Sequence, residues 1–220
     1  MIALCGRFTL YSSATAIEQE TGVEIPDISP NYNVAPTQFV LTIASNQEQT
    51  KAGFLKWGLV PSWSKDPSVG HKMINARAET VDEKPSFKKL LERRRCLVVA
   101  DSFYEWKKEG KEKQPYRIML NEEQIFTFAG LWDRWEGEEE TITSCTIITT
   151  EANELMQDLH HRMPVIIPKN RREAWLHPNT SKTEVKAMLE PFESGQMTAY
   201  PVSRDVNSPK NNTPELLEKH

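Results

Sequence analysis

Four groups of residues have the types and spacing that chemistry requires. Cys5-Gly6-Arg7-Phe8 puts a thiol, a flexible glycine and a guanidinium at the head of the chain. A cysteine with a free α-amine offers two nucleophiles on one residue, sulfur and nitrogen. Gly6 lets the backbone bend sharply beside it, and Arg7 can grip a phosphate through two N–H groups. In Met73-Ile74-Asn75-Ala76-Arg77-Ala78-Glu79-Thr80, polar residues alternate with small ones. A strand there places the amide of Asn75, the guanidinium of Arg77 and the carboxylate of Glu79 on one face. Glu105 stands between Tyr104 and Trp106, apolar company that raises a carboxyl pKa and suits proton transfer. His160-His161-Arg162 sets an imidazole beside a cation. Each group has an ordinary alternative. Cys5 also reads as a small buried hydrophobe opening a strand, the alternating face as solvated surface, Glu105 as a strand-edge carboxylate facing water, and His160 as a loop residue without a role.

Composition narrows the classes. The 220 residues suit one domain and are enough to bury a full core without staples. The three cysteines, Cys5, Cys96 and Cys145, are odd in number and form no C-x-x-C pair, which argues against a zinc ribbon or a thioredoxin-like centre. No metal or cofactor is expected. That cysteine usage fits a reducing, cytoplasmic setting, and Met1-Ile2-Ala3-Leu4 is too short for a signal peptide or a membrane span. A net charge of −4 argues against a protein that coats duplex DNA but leaves room for a local basic groove.

The elements that must position these residues read as a mixture. A strand is expected over 7–10, then a helix capped by Ser13 and ended by Gly22. Residues 31–37 read as a structured loop and 39–44 with 51–60 as a hairpin. The second strand runs into Trp57-Gly58-Leu59-Val60-Pro61-Ser62-Trp63, either core packing or a flat face for a base. Residues 86–94 suit an amphipathic helix, 96–100 a buried strand, and 115–120, 125–132 and 141–149 further strands. Thr150 is expected to cap a helix reaching Leu159, with a buried strand at 165–167. Ser181 with Glu184 makes a capping box for a helix to Leu189, and 197–203 is a last strand. The fold class is α+β: a single domain with a strongly curved, barrel-like, mostly antiparallel sheet flanked by short helices.

Seven stretches, in one order, resemble the SRAP family, the SOS-response-associated peptidases or abasic-site-processing proteins. They are Cys5-Gly6-Arg7-Phe8, Asn33-Val34-Ala35-Pro36-Thr37, the segment from Trp57 to Trp63, Ile74 to Thr80, Phe103-Tyr104-Glu105-Trp106, His160 to Pro164, and Pro201-Val202-Ser203 with Val206-Asn207. The resemblance implies a monomeric protein of the bacterial cytoplasm, gathered at the nucleoid during damage. It would bind abasic sites in single-stranded DNA and crosslink to them through a thiazolidine formed by an N-terminal cysteine. By position, Cys5 is the nucleophile, Asn75 orients the cysteine or sugar, Glu105 shuttles protons, and His160 assists ring opening and reversal. Arg7, Arg77 and Arg162 hold flanking phosphates, Trp63 stacks beside the gap, and Asn33 completes the DNA-binding set. Ser102 replaces the family's usual glycine.

The start departs further, because Met1 to Leu4 precede Cys5 and leave its amine in a peptide bond. The expected remedy is initiation at position 4, where a leucine codon is read as methionine, or cleavage before Cys5. A cysteine hydrolase using Cys5 and His160, and a non-catalytic single-strand binder, are the competing readings.

Overall fold

A computed structural model describes residues 6–45, 49–122 and 124–220. Cys5 and the four residues before it lie outside the described residues. The strands are β1 (Phe8–Leu10), β2 (Asn31–Val34), β3 (Phe39–Ser45), β4 (Thr50–Trp57), β5 (Asn75–Arg77), β6 (Arg95–Ala100), β7 (Ser102–Glu109), β8 (Glu112–Leu120), β9 (Phe126–Glu136), β10 (Thr141–Glu151), β11 (Arg162–Pro164) and β12 (Met197–Pro201). Between them lie α1 (Ala14–Thr21), α2 (Lys88–Arg93), α3 (Glu154–Gln157), α4 (Arg172–Leu176) and α5 (Lys182–Ala187).

Strands β12-β8-β7-β1-β2 form an antiparallel sheet. Strands β10-β4-β3-β6-β9 form a second sheet, and pairing of β9 with β10 closes it into a five-stranded barrel. Its joints are antiparallel except that between β4 and β10. β5 and β11 extend the barrel from the far end of β10. The result is the expected single α+β domain with a curved, mostly antiparallel sheet.

Alternation along β6 explains how the layers stack. All six residues of β6 are buried, so the strand needs apolar side chains on both faces. Leu97 and Val99 join a cluster with Leu90 and Leu91 of α2 and Trp175 of α4. Cys96, Val98 and Ala100 join Phe8, Phe103 and Ile118 of the other sheet. Each fully buried Leu, Val or Phe contributes about 1.5–3 kcal/mol. Burial pushes the thiols of Cys96 and Cys145 up, which leaves both unreactive.

Local signals are realised closely at α1 and α5. Ser13 accepts from the Ala16 N–H at the start of α1, and Gly22 closes it at φ 70°. Ser181 and Glu184 form the reciprocal capping box of α5. Three expectations shift. Residues 31–34 are strand β2 rather than loop, because β1 offers them an edge. Thr150 does not cap the following helix: it lies in β10 opposite Met163, and Asn153 accepts from the Met156 N–H instead. Val165 to Ile167 are buried and bonded to β9 and β10, but regular pairing falls upstream at β11. Among the described residues, no helix is long and apolar enough to cross a membrane.

The exit from β4 depends on two glycines. Gly58 sits at φ 130°, and a Cβ there would lie 2.7 Å from the Gly70 carbonyl oxygen. The close crossing lets Leu59 N–H donate to Met73 and aims the next loop outward. Gly58→Ala is expected to cost about 1–3 kcal/mol through strain and collision. Urea unfolding monitored by tryptophan fluorescence would show it, and an unchanged midpoint would contradict this account of the crossing.

Candidate active site

The polar residues singled out in the sequence gather along the seam where the antiparallel sheet meets the barrel. From the sheet come Arg7, just before β1, and Glu105 on β7. Tyr104 N–H donates to the Arg7 carbonyl, which ties β7 to the start of β1. Glu105 is buried at 2% exposure. Asp101 fixes the other end of β1 by accepting from the Tyr11 and Ser12 N–H groups and the Ser12 hydroxyl.

Arg7 is buried as well. Its Nη1 donates to Asn33 Oδ1 at 2.7 Å and to the Val206 carbonyl at 2.7 Å. The guanidinium lies 5.8 Å from the Trp106 ring centroid, and burial lowers its pKa. Its Nε has no hydrogen-bond partner, and among the described residues no carboxylate pairs with it. Asn33 holds Arg7 from behind. It is 1% exposed, and its Nδ2 reaches the carbonyls of Val206, Ser208 and Asn211. Every polar atom of its side chain is therefore engaged inside the protein. Direct contact with a DNA strand, expected for Asn33, does not fit that burial; its place is beneath Arg7.

From the barrel come Asn75, Arg77, Glu79, His160 and Arg162. The strand-like alternation holds for Asn75 and Arg77, since β5 pairs in parallel with β10, matching Asn75 to Ile147 and Arg77 to Thr149. Glu79, expected on the same strand face, lies in the turn that follows. Asn75 is half-buried, with Nδ2 3.4 Å from the Ile147 carbonyl, and Arg77 is exposed. Arg162 is buried, and Glu79 grips it through both carboxylate oxygens, at 2.6 and 3.0 Å. The Thr149 carbonyl accepts from Arg162 Nη2 at 2.6 Å. This pairing holds the Glu79 carboxyl below its usual range. Thr149 was not foreseen, because its contribution is a main-chain carbonyl in an apolar run.

His160 Nδ1 accepts the Arg162 N–H at 3.1 Å, which leaves the proton of the neutral ring on Nε2. Burial, then the neighbouring His161, lowers its pKa. The two sides meet at a cavity of about 10 Å³ lined by Arg7, Phe8, Phe103, Phe128, Ile147 and Pro164, room for about one water. A cavity of about 500 Å³ between α1 and α4 contains none of the residues singled out. Trp63 stands apart from the seam, 66% exposed on the loop after Gly58.

Fold and seam together define a barrel-and-sheet domain in which Arg7 and Glu105 come from the sheet and Asn75, Glu79, His160 and Arg162 from the barrel. Residues 4–209 match the family model for the SOS response associated peptidases (SRAP), and the chain belongs to that family. It is 49% identical over 224 residues to the abasic site processing protein YoqW of Bacillus subtilis, covering 99% of this chain and 100% of that one. Identity to YoaM of the same organism, also named an abasic site processing protein, is 47% over 222 residues, covering 98% of each. A crystal structure of a protein from Bacteroides thetaiotaomicron superimposes with a TM-score of 0.91 at 31% identity, over 98% of this chain and 100% of that one.

The lowered His160 pKa has a definite sign. Folding favours the neutral ring, so its contribution is fully present above about pH 6.5 and is lost as pH falls through that value toward the folded one. An NMR titration of the ring protons should give a midpoint below about 6.5. His160→Gln should remove this part of the acid-side loss of stability. A midpoint at or above the free-imidazole value would refute the assignment.

Proposed function

We propose that this protein captures abasic sites in single-stranded DNA by a thiazolidine crosslink formed at Cys5. The observation that carries the reading is the buried Arg7 guanidinium, two positions from Cys5, held by Asn33 and the Val206 carbonyl and without a carboxylate partner among the described residues. A buried cation without a counter-charge is costly. An anion arriving there, thiolate or phosphate, relieves that cost. Similarity to two relatives named for abasic site processing supports the same substrate.

The chemistry follows from the residue types. The opened deoxyribose carries an aldehyde at its first carbon. The α-amine of Cys5 attacks it, a C–N bond forms, and water leaves to give a Schiff base. The thiol sulfur then bonds to the same carbon, and a proton moves to the imine nitrogen, closing a five-membered ring. Glu105 carries protons in the condensation, and Asn75 orients the cysteine or the sugar. His160, neutral and with Nε2–H outward, assists sugar opening and the return reaction. Arg77 is open to a flanking phosphate. Arg7 and Arg162 act from beneath the surface, fixed by Asn33 and Glu79. Trp63 stacks beside the gap. The ring requires the Cys5 amine to be free, so the active form begins at Cys5, through a start at position 4 or cleavage before Cys5.

Intact mass of the protein expressed from its own gene, before and after mixing with a single strand bearing one abasic site, tests this. The expected result is a chain beginning at Cys5 and a heat-stable adduct, absent for Cys5→Ser. An unmodified mass, with Cys5-dependent peptide cleavage in the absence of DNA, would favour the hydrolase instead. Arg77→Ala should weaken binding to all sequences alike. It should also reduce the slope of log affinity against log salt by about 0.7, the value for one phosphate contact on a single strand. An unchanged slope would remove Arg77 from the phosphate contacts.

A further inference from the structure

Phe39, Phe54 and Trp63 are large apolar side chains left exposed, at 68%, 41% and 66%. One such residue needs no explanation, whereas several on one face mark a contact surface. Strand register puts Phe39 and Phe54 on one face of the barrel, and the loop carrying Trp63 is bonded to the far end of that face. Phe39 of β3 lies opposite Lys56 of β4, Lys56 opposite Ser144 of β10, and Ser144 opposite Asp133 of β9. Paired residues point the same way, so these four form one row across four strands, with Phe39 exposed, Lys56 half-buried, and Ser144 and Asp133 buried where the Trp63 loop bonds to them. At about 4.8 Å per strand the row spans roughly 14 Å.

The loop carrying Trp63 is pinned to one end of that row. Val60 N–H donates to the Ser144 hydroxyl at 2.8 Å, and Ser62 N–H donates to the Asp133 carboxylate at 2.7 Å. At the other end stands Phe39, with Phe54 diagonal to it, opposite Leu41 on the same face. The charge of Asp133 is met by Arg94 at 2.5 Å. Lys56 is the one charge inside the exposed end of the row, while exposed Lys65 just after Trp63 is followed by exposed Asp66.

We propose that the exposed end of this row, with Phe54 beside it, is a second, lesion-independent platform for single-stranded DNA, on which bases flanking the abasic site stack on Phe39 and Phe54 while Lys56 meets the backbone. The proposal rests on the abasic-site reading, since it extends the strand held by Trp63. Aromatic faces interleaved with lysine suit a single strand, because every base has a face to stack and no base edge needs to be read. A protein partner would be served by the aromatics alone and gains nothing from a lysine set between them and the Trp63 loop.

The test compares fluorescence anisotropy of labelled strands. One is short, an abasic site with two nucleotides on each side. Two are extended by about ten nucleotides, one on each flank, and a fourth is long and undamaged. The wild-type protein is expected to bind at least one extended strand more tightly than the short one. The double variant Phe39→Ala/Phe54→Ala should lose at least about fivefold of affinity for that strand and for the undamaged one. It should crosslink the short strand as before, and Phe39→Tyr/Phe54→Tyr should restore the loss. Equal affinities of wild type and double alanine variant for every long strand would overturn the platform. So would a dimer, seen by sedimentation, that the alanine pair abolishes, since the face would then serve a second copy. If the wild type fails to crosslink even the short strand, the abasic-site reading fails, while the undamaged strand still reports on the platform.

Discussion

Strand β10 cannot satisfy its backbone from one neighbour, and the architecture follows from how it finds four. Over residues 141–147 it pairs with β9, and at Ser144 and Cys145 it pairs in parallel with β4, which together close the barrel. From Ile147 onward β5 takes over on the side β4 has left, and where β9 stops after Ile147, β11 follows from Thr149 on the other side. An unpaired buried amide costs as much as a lost hydrogen bond, so each handover must occur where the previous partner stops. The two replacement strands are the ones carrying Asn75, Arg77 and Arg162. The polar side of the seam is thus a by-product of backbone accounting along a single strand.

Much of this was legible locally. Ser13, Gly22, Ser181 and Glu184 act within a turn of their own helix, so their effects can be read from spacing alone. The apolar run from Cys96 to Ala100 had to be buried on both faces. A barrel-like curvature was expected, but which strands close it was not legible, because pairing β4 with β10 in parallel joins segments about ninety residues apart. Thr150 shows the same limit: a good cap in isolation, it was claimed by β11. At the site, residue identities were readable but their depth was not. Arg7 and Arg162 look like surface cations in sequence, and only tertiary packing reveals that each is sunk and held by a named partner.

Those sunk arginines give the seam its rigidity. A guanidinium needs several acceptors in one plane, and supplying them indoors fixes both the side chain and the donors around it. Arg162 gathers the Glu79 carboxylate and the Thr149 carbonyl, and its own N–H holds the His160 ring. Arg7 gathers Asn33 and Val206. Preorganised dipoles and charges of this kind need little rearrangement when charge develops nearby. Thr37, at φ 75° in the same motif as Asn33, is a β-branched residue in a strained conformation. The bond from its N–H to the Trp57 carbonyl holds it there.

The bond between Arg7 and Val206 joins positions 199 residues apart. Asn33 likewise depends on carbonyls from 206 to 211. Contacts of such separation carry a large loop-closure cost and form late. On a ribosome the early strands emerge and can begin to pair long before residue 206 exists. The surroundings of the entering segment are therefore completed last, when nearly all of the domain has been synthesised. A truncated or stalled chain has Arg7 and Asn33 without their carbonyl partners, so the site cannot assemble until residues 206–211 have been made.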